Sequence, residues 1–230
     1  MKMKLTYDAQ KHILALDCIV FGFEEDQLKL LMIKRRIEPR KGEWSLMGDF
    51  VRLNESLDEA ARRILLMLTG LTNIYLEQLY TFGDPYRDPL DKVVSVVYYA
   101  LIKINDYDRE IVKHNGAEWF PAENNPNMVF DHNDMAQMAL NKLRRRCRTQ
   151  PIGFELLPEK FTIPQLQNLY EAILMHKLDK RNFRKKILSM NLLDKLNEKD
   201  KESSKKGAFL YRFNRQRYEQ LTSMGFSFEI

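Results

Sequence analysis

The apolar positions in the first half of the chain form short runs that polar residues separate. Residues 13–23 and 27–34 are two such runs, and three acidic residues between them fit a turn. Residues 93–104 are apolar almost throughout, which is typical of a strand buried on both faces of a sheet. Shorter runs lie at 75–83 and 116–121. The pattern predicts a sheet whose most apolar strand is central.

Helical spacing marks two longer segments of the same half. Ser56, with Glu59 three residues later, forms a capping box. The helix that it begins is predicted to run to about Thr69 and to stop at Gly70. Residues 131–148 place apolar side chains on one face of a second helix. Strands and helices in this order predict an α/β/α sandwich.

The pattern changes after residue 150, where a segment with Pro and Gly marks a boundary. Residues 162–165 have the residue types that cap a short helix, and Asp179 caps a second helix after a tight connection. Strands are predicted at 192–197 and 208–213, with a polar loop between them. Two helices followed by a hairpin are the order of a winged helix-turn-helix domain.

Charge separates the same two parts of the chain. The protein has 37 Lys and Arg against 32 Asp and Glu, a formal net charge of +5. Residues 1–150 contain 22 of each sign, whereas residues 151–230 contain 15 basic and 10 acidic residues. The whole excess therefore lies in the C-terminal part. We expect an effector-binding domain at 1–150 and a module at 151–230 that binds a polyanion.

Composition narrows the class of protein further. With 44% hydrophobic, 30% charged and 11% aromatic residues, the chain is globular and not disordered. No run of 18 apolar residues occurs, so we expect no membrane partner and a cytoplasmic location. Cys18 and Cys147 lack metal-ligand spacing, and the four histidines are scattered. We therefore predict neither a metal site nor a cofactor.

The second short helix of the C-terminal part is the candidate nucleic-acid interface. Phe183, Ile187 and Leu188 can face a core, which leaves a basic surface outside. Such a surface on an arbitrary helix is more often only solvated, but the preceding tight turn and the following basic hairpin favour DNA, with Asn182 and Arg184 as base readers. The predicted DNA contacts are Lys180, Arg181, Asn182, Arg184, Lys185, Lys186, Lys205 and Lys206.

Residues 46–71 resemble the Nudix box, a loop and helix that hold magnesium against a nucleoside diphosphate. The box reads G-x5-E-x7-R-E-U-x-E-E-x-G-U, where U is aliphatic. The positions that match it are Glu55, Arg63, Leu65, Gly70 and Leu71. The resemblance implies a Nudix-like sandwich for the N-terminal domain.

The residues that depart from the box are those that would hold the metal. Ile64, Met67 and Leu68 stand where the family has Glu, and Asp49 replaces the first glycine. A hard divalent cation needs several converging carboxylate oxygens, which these side chains do not supply. We therefore interpret the domain as one that binds a ligand without hydrolysing it, and we expect no catalytic residues.

Both halves together resemble the Nudix-related transcriptional regulators, which join a degenerate Nudix domain to a C-terminal winged helix. The specific marks are residues 81–89, the junction at 151–157, and the basic helix at 178–186. The resemblance implies a homodimer that represses or activates genes at a palindromic double-stranded DNA operator. It also implies a metabolite in the Nudix pocket, which is ADP-ribose in one branch of the family and arabinose in another.

Polar and aromatic residues in the loops around the presumed cleft are the candidate ligand contacts. A pocket for a polar small molecule uses such a mixture, although the cleft could also be a mere scaffold. The predicted ligand-binding residues are Arg35, Glu43, Trp44, Asp49, Arg87 and Asp88.

The identity of the ligand depends on the charges in this cleft. Without a metal, Asp49 and Glu55 would be uncompensated carboxylates, which repel a diphosphate but accept hydrogen bonds from sugar hydroxyls. Arg35, Arg36 and Arg87 could offset the repulsion. We favour a repressor of sugar utilisation genes that L-arabinose releases, with an ADP-ribose-responsive regulator of NAD metabolism as the alternative.

Two other interpretations remain open. The chain could be an active Nudix hydrolase with unconventional metal ligands, or a sugar-binding adaptor whose C-terminal module contacts only protein. Association that is insensitive to salt would favour the adaptor, because phosphate contacts make binding steeply salt-dependent.

Overall fold

The computed structural model describes residues 12–72, 74–104, 106–201 and 207–230. Within these residues, a seven-stranded mixed sheet carries helices on both faces and is followed by a smaller domain with its own three-stranded sheet. The predicted α+β architecture, a sandwich followed by a winged helix, is confirmed. No helix in the described ranges is long and apolar enough to cross a membrane.

The large sheet has the order β3-β2-β1-β6-β5, with β4 also paired to β1 and β7 to β2. Its strands are β1 (Ile13–Glu24), β2 (Gln27–Lys34), β3 (Trp44–Ser45), β4 (Met47–Phe50), β5 (Glu77–Phe82), β6 (Val93–Lys103) and β7 (Ala117–Pro121). The helices of this domain are α1 (Leu57–Thr69), α2 (Asp106–His114) and α3 (His132–Thr149). The sequence pattern missed α2 and the short strands β3 and β4.

The long strand β1 lies at the centre of the sheet and runs parallel to β6. Its apolar residues alternate between the faces, as the strand period requires. Leu16 and Val20 pack on the face covered by α1 and α2, whereas Ile19 and Phe21 pack on the face covered by α3. Burial on both faces explains why β1 appears in the sequence as one continuous apolar run.

Helix α1 begins and ends where its local sequence predicts. The Ser56 side chain accepts from the backbone N–H of Glu59, and the Glu59 carboxylate accepts from that of Ser56. At the other end Gly70 caps the helix with φ +76°, a conformation that suits glycine. A Cβ at Gly70 would also overlap Ile111 of α2, so this cap fits only glycine.

The C-terminal domain has the predicted winged-helix order, with additions. A 3-10 turn at Phe154–Leu156 leads to β8 (Phe161–Thr162), α4 (Ile163–Leu174), α5 (Lys180–Ser189), β9 (Leu193–Asp200), β10 (Ala208–Phe213) and α6 (Arg215–Ser223). Thr162 and Asp179 cap α4 and α5 as predicted. Strand β9 continues three residues beyond the predicted end, because its charged residues pair with β10, and α6 was not predicted.

The two domains share one hydrophobic core, in which α3 packs against α4. Hydrogen bonds between described residues join them: the Arg144 Nε donates to the Ile173 carbonyl at 3.1 Å, the Asn168 amide donates to Asp26 at 2.9 Å, and the Ile230 N–H donates to the Arg148 carbonyl at 2.9 Å. Helix α3 therefore belongs to both domains.

Candidate functional site

A cleft opens on the large domain where β1, β4, the loop after β2, the loop before β6 and the start of α3 meet. Its floor is formed by strand residues and the start of α3, and its rim mainly by loop residues. The polar and charged side chains that line it are Asp17, Arg35, Ser45, Asp49, Arg87, Asp88 and His132.

Arg63 of α1 forms ion pairs with two carboxylates beside this cleft. Its guanidinium donates to Asp49 Oδ2 at 2.8 Å and makes two bonds to Glu55, at 2.8 and 2.6 Å. The bonds from Arg63 lower the pKa of Glu55 to about 2. The expectation that Asp49 and Glu55 are uncompensated was wrong, because an arginine 14 residues from Asp49 along the chain reaches both of them.

Arg87 and Asp131 form a second ion pair on the opposite wall of the cleft. Arg87 donates to both carboxylate oxygens of Asp131, at 2.9 and 2.8 Å, and its side chain is only 5% exposed. Although burial opposes the charge, the bonds to Asp131 hold the pKa of Arg87 above its ordinary value. This pair fixes the loop before β6 against the N-cap of α3.

Arg35 is the cation of the cleft that keeps donors available. Its guanidinium lies over the Phe130 ring, 5.0 Å from the centroid, and its Nε donates to the Pro39 carbonyl at 2.7 Å. Among the residues that the structure describes, Arg35 has no acidic side chain within ion-pair distance. The terminal nitrogens of the guanidinium can therefore bind an anionic group of a ligand.

The floor of the cleft holds a buried carboxylate and a buried imidazole. Asp17 accepts from the Ser95 hydroxyl at 2.5 Å, and His132 Nδ1 accepts from the Leu46 N–H at 3.1 Å. Burial lowers the pKa of His132, so the ring is neutral near pH 7. A Cβ at Gly48 would overlap Asp17 Oδ1, so glycine is needed beside this carboxylate.

The cleft contains four of the six ligand-binding residues predicted from sequence: Arg35, Asp49, Arg87 and Asp88. Glu43 lies outside it and pairs with Arg40 at the surface, 3.0 Å away. Trp44 also lies outside, with its ring edge-on to Phe120 at 4.8 Å. Arg35 begins the loop between β2 and β3, and Glu43 and Trp44 lie at its end. Their side chains point away from the cleft to other neighbours.

Sequence reasoning missed Asp17, Phe130 and His132. Asp17 had one usable signal, since it is a charged residue inside an otherwise apolar strand. The four histidines are scattered in the sequence and gave no signal for His132. Its position at the start of a helix, directly after Asp131, was the usable one. In the described residues, no group of three or more His, Cys, Asp or Glu side chains is arranged to hold a metal ion.

Helix α5 presents the second candidate site. Phe183 and Ile187 are buried against the domain core, while all six residues predicted here to contact DNA are exposed: Lys180, Arg181, Asn182, Arg184, Lys185 and Lys186. Within the described residues, none of the five cations forms an ion pair with an acidic side chain. Lys205 and Lys206 lie outside the described residues.

The turn that leads into α5 is held by Glu171 of α4. Its carboxylate accepts from the Gln167 amide, from the Leu178 N–H and from Lys177, at 2.7 to 3.0 Å. Although burial works in the other direction, these bonds lower the pKa of Glu171 to about 2. Fixing the turn orients α5 so that its basic face points away from the protein.

Comparison with known families assigns both domains. Residues 11–139 match the NUDIX domain, and residues 153–213 match the NrtR DNA-binding winged helix domain. The chain belongs to the NrtR family. The cleft lies in the Nudix part and α5 in the NrtR-type winged helix.

The NrtR relatives extend over nearly the whole chain. The ADPR responsive transcriptional repressor NtrR of Acinetobacter baylyi is 35% identical over 216 residues, which are 92% of this chain and 86% of that protein. A crystal structure of Shewanella oneidensis NrtR complexed with a 27mer DNA is 28% identical and has a TM-score of 0.74, covering 87% of this chain and 93% of that chain.

A third match covers only the Nudix part of the chain. The NUDIX domain of Shewanella oneidensis NrtR, in a cocrystal structure with ADP ribose, is 29% identical to this protein with a TM-score of 0.52. The match covers 60% of this chain and 94% of that domain.

Proposed function

We propose that this protein is a transcriptional repressor that binds operator DNA through α5 and releases it when ADP-ribose enters the Nudix cleft. The observation that carries the proposal is the similarity to the Acinetobacter repressor, which extends through both domains. Because the similarity includes both domains, it supports effector binding and DNA binding in the same protein.

The charge of α5 supports the DNA-binding part of the proposal. A major-groove helix needs cations that are free to contact phosphates, together with side chains that reach base edges. The α5 face supplies five cations without acidic partners, and Asn182 and Arg184 are exposed on it. We infer that two copies act as a homodimer on a palindromic operator, with one α5 helix for each half-site.

ADP-ribose is the better supported effector, and nothing in the comparisons supports L-arabinose or sugar utilisation genes. Unpaired carboxylates in the cleft would repel a diphosphate and so would favour a neutral sugar such as arabinose. Because Arg63 pairs with both Asp49 and Glu55, that repulsion is reduced, and Arg35 adds a cation with free donors. We propose Arg35, Asp49, Arg87 and Asp88 as ligand-binding residues, and we leave out Glu43 and Trp44.

We further propose that the cleft binds its ligand without hydrolysing it. Nudix chemistry uses magnesium held by glutamates on the helix that corresponds to α1. Here Ile64 is fully buried in the core, and Met67, which is 44% exposed, has no oxygen to offer. Glu55, which remains from the box, is bound by Arg63. These side chains do not fit a magnesium cluster.

Helix α3 is the element through which ligand and DNA sites can affect each other. Its N-terminal residues Asp131 and His132 lie at the cleft, and near its other end Arg144 and Arg148 bond to the C-terminal domain. A ligand that binds one arrangement of α3 more tightly than another shifts the position of both α5 helices in a dimer.

The test is fluorescence anisotropy with the full chain and DNA fragments from upstream of its neighbouring genes. We expect tight binding to at least one fragment, release by ADP-ribose, and no release by L-arabinose at the same concentration. Failure to bind any fragment with or without ligand would refute the repressor, and release by arabinose alone would restore the sugar alternative. Phosphate products from ADP-ribose with magnesium would show a hydrolase instead.

A further inference from the structure

Two polar atoms on the floor of the cleft, both on almost fully buried side chains, face each other without a bond. Asp17 and His132 are 5% and 4% exposed, and both line the cleft. Asp17 Oδ2 accepts from Ser95, but Asp17 Oδ1 and His132 Nε2 are 3.8 Å apart. This separation is too long for a hydrogen bond. An acceptor and a donor that open to the cleft therefore remain available at the same place.

The protonation of the imidazole follows from its other nitrogen. Because the Leu46 N–H donates to Nδ1, the proton of the neutral ring is on Nε2. The burial that lowers the pKa of His132 keeps the ring neutral. The floor thus offers an N–H donor on one side and a carboxylate acceptor on the other.

Only some chemical groups satisfy both atoms at once. The group must donate to a carboxylate and accept from an N–H, which a hydroxyl does and an ionised phosphate does not. A hydroxyl oxygen can lie about 2.8 Å from each atom, because two such distances together span the 3.8 Å between them. A bound ligand covers both atoms, and such a group would give each of them the hydrogen bond that it loses to water.

We propose that Asp17 and His132 form a subsite for a ribose hydroxyl of the effector, with Asp17 as acceptor and His132 as donor. The proposal rests on the proposed function, since it assumes that ADP-ribose occupies this cleft. ADP-ribose has hydroxyls on its adenosine sugar and on its terminal ribose. The subsite would make the protein selective for the sugar, while Arg35 contacts the phosphates.

The experiment is isothermal titration calorimetry of the full chain with three ligands. They are ADP-ribose, ADP, which lacks the terminal ribose, and an ADP-ribose analogue whose adenosine sugar lacks both hydroxyls. The variants are Asp17→Asn and His132→Asn; the second keeps an acceptor for the Leu46 N–H but removes Nε2. We expect each variant to bind ADP-ribose about tenfold more weakly.

The ligand series separates recognition from a general effect on the cleft. If the subsite binds a hydroxyl, the variants and the unmodified chain bind equally well the one ligand that lacks that hydroxyl. The ligand for which the tenfold difference in affinity disappears therefore identifies which ribose occupies the subsite. An equal penalty for all three ligands, or no penalty, would overturn the subsite. Absence of ADP-ribose binding by the unmodified chain would instead overturn the proposed function.

Asp91→Asn is the matched control. Asp91 is an exposed carboxylate two residues before Val93 at the cleft edge, and its side chain bonds only locally, to Lys92 N–H. Both Asp→Asn changes remove one negative charge near an anionic ligand, which by electrostatics alone strengthens binding. Weaker binding by Asp17→Asn with no weakening by Asp91→Asn therefore points to a lost hydrogen bond. Thermal unfolding without ligand checks that each variant is folded.

Discussion

The charged residues of the cleft and those of α5 are organised in opposite ways. In the cleft, Arg63 binds two carboxylates and Arg87 binds Asp131, so most charges are paired within the protein. On α5, no cation has an acidic partner among the described residues. Internal pairing fixes side chains in advance for a small ligand, whereas unpaired cations suit a large polyanion that displaces many counterions. We propose that these two arrangements of the same residue types suit the recognition of two different kinds of ligand.

Removing cations from α5 should have the largest effect. For the double variant Arg184→Ala and Lys185→Ala we expect DNA affinity to fall about a hundredfold at fixed salt, with a salt dependence that is lower by about two released ions. Anisotropy titrations at several salt concentrations measure both quantities. Arg62→Ala with Lys103→Ala removes two exposed cations from the other domain and should leave DNA binding unchanged. Equal losses in both double variants would mean that α5 is only a solvated face.

Breaking the buried pair on the cleft wall should lower stability. Asp131→Asn leaves the Arg87 guanidinium, which is 5% exposed, without its carboxylate, at a cost of about 3 kcal/mol of unfolding free energy. Urea denaturation measures this loss. Glu43→Gln breaks the surface pair with Arg40 and should cost less than about 0.5 kcal/mol. Similar costs for the two variants would contradict the contrast between buried and exposed pairs.

The role of Arg63 can be tested with the ligand itself. In Arg63→Gln both Asp49 and Glu55 lose their cation, so ADP-ribose should bind about tenfold more weakly because two carboxylates then repel its diphosphate. Calorimetry gives the affinity. Arg62→Gln changes the adjacent exposed arginine of the same helix and is the control. Unchanged ADP-ribose affinity in Arg63→Gln would remove the electrostatic argument that connects this ion pair to the effector.

The smallest effect concerns acid stability. The bonds from Arg63 lower the pKa of Glu55 to about 2, below its usual value. A carboxyl group with a lowered pKa in the folded protein contributes stability above its unfolded pKa and loses it as the pH falls towards 2. The difference in melting temperature between the unmodified chain and Glu55→Gln should be constant from pH 6 to 8 and shrink from pH 5 to 2. A difference that grows on acidification would contradict this ion pair.

The fold was largely predictable because its signals are local. The capping boxes at Ser56 and Thr162 and the glycine stop at Gly70 depend on residues three or four positions apart. Helix α5 and its exposed cations followed from spacing within ten residues. Such features need no knowledge of the tertiary structure.

The cleft was predicted less well because its contacts are distant in sequence. Asp17 and His132 come from β1 and α3 and meet only after the sheet has formed. The Arg63 pairs join a helix to a preceding strand and loop, and they reduce the repulsion that the sequence predicts. Glu43 was misplaced because a residue's position in a loop does not give its side-chain direction.

A mutation at Gly48 is expected to disable the cleft alone. The missing side chain of this glycine is what allows the Asp17 carboxylate to stand where it does. In Gly48→Ala, one added methyl group would displace that carboxylate. Because the change is far from α5, the protein should still bind DNA but should no longer respond to its ligand. Cells carrying such an allele should keep the regulated genes silent whatever the metabolite level, a dominant phenotype that growth selection would reveal.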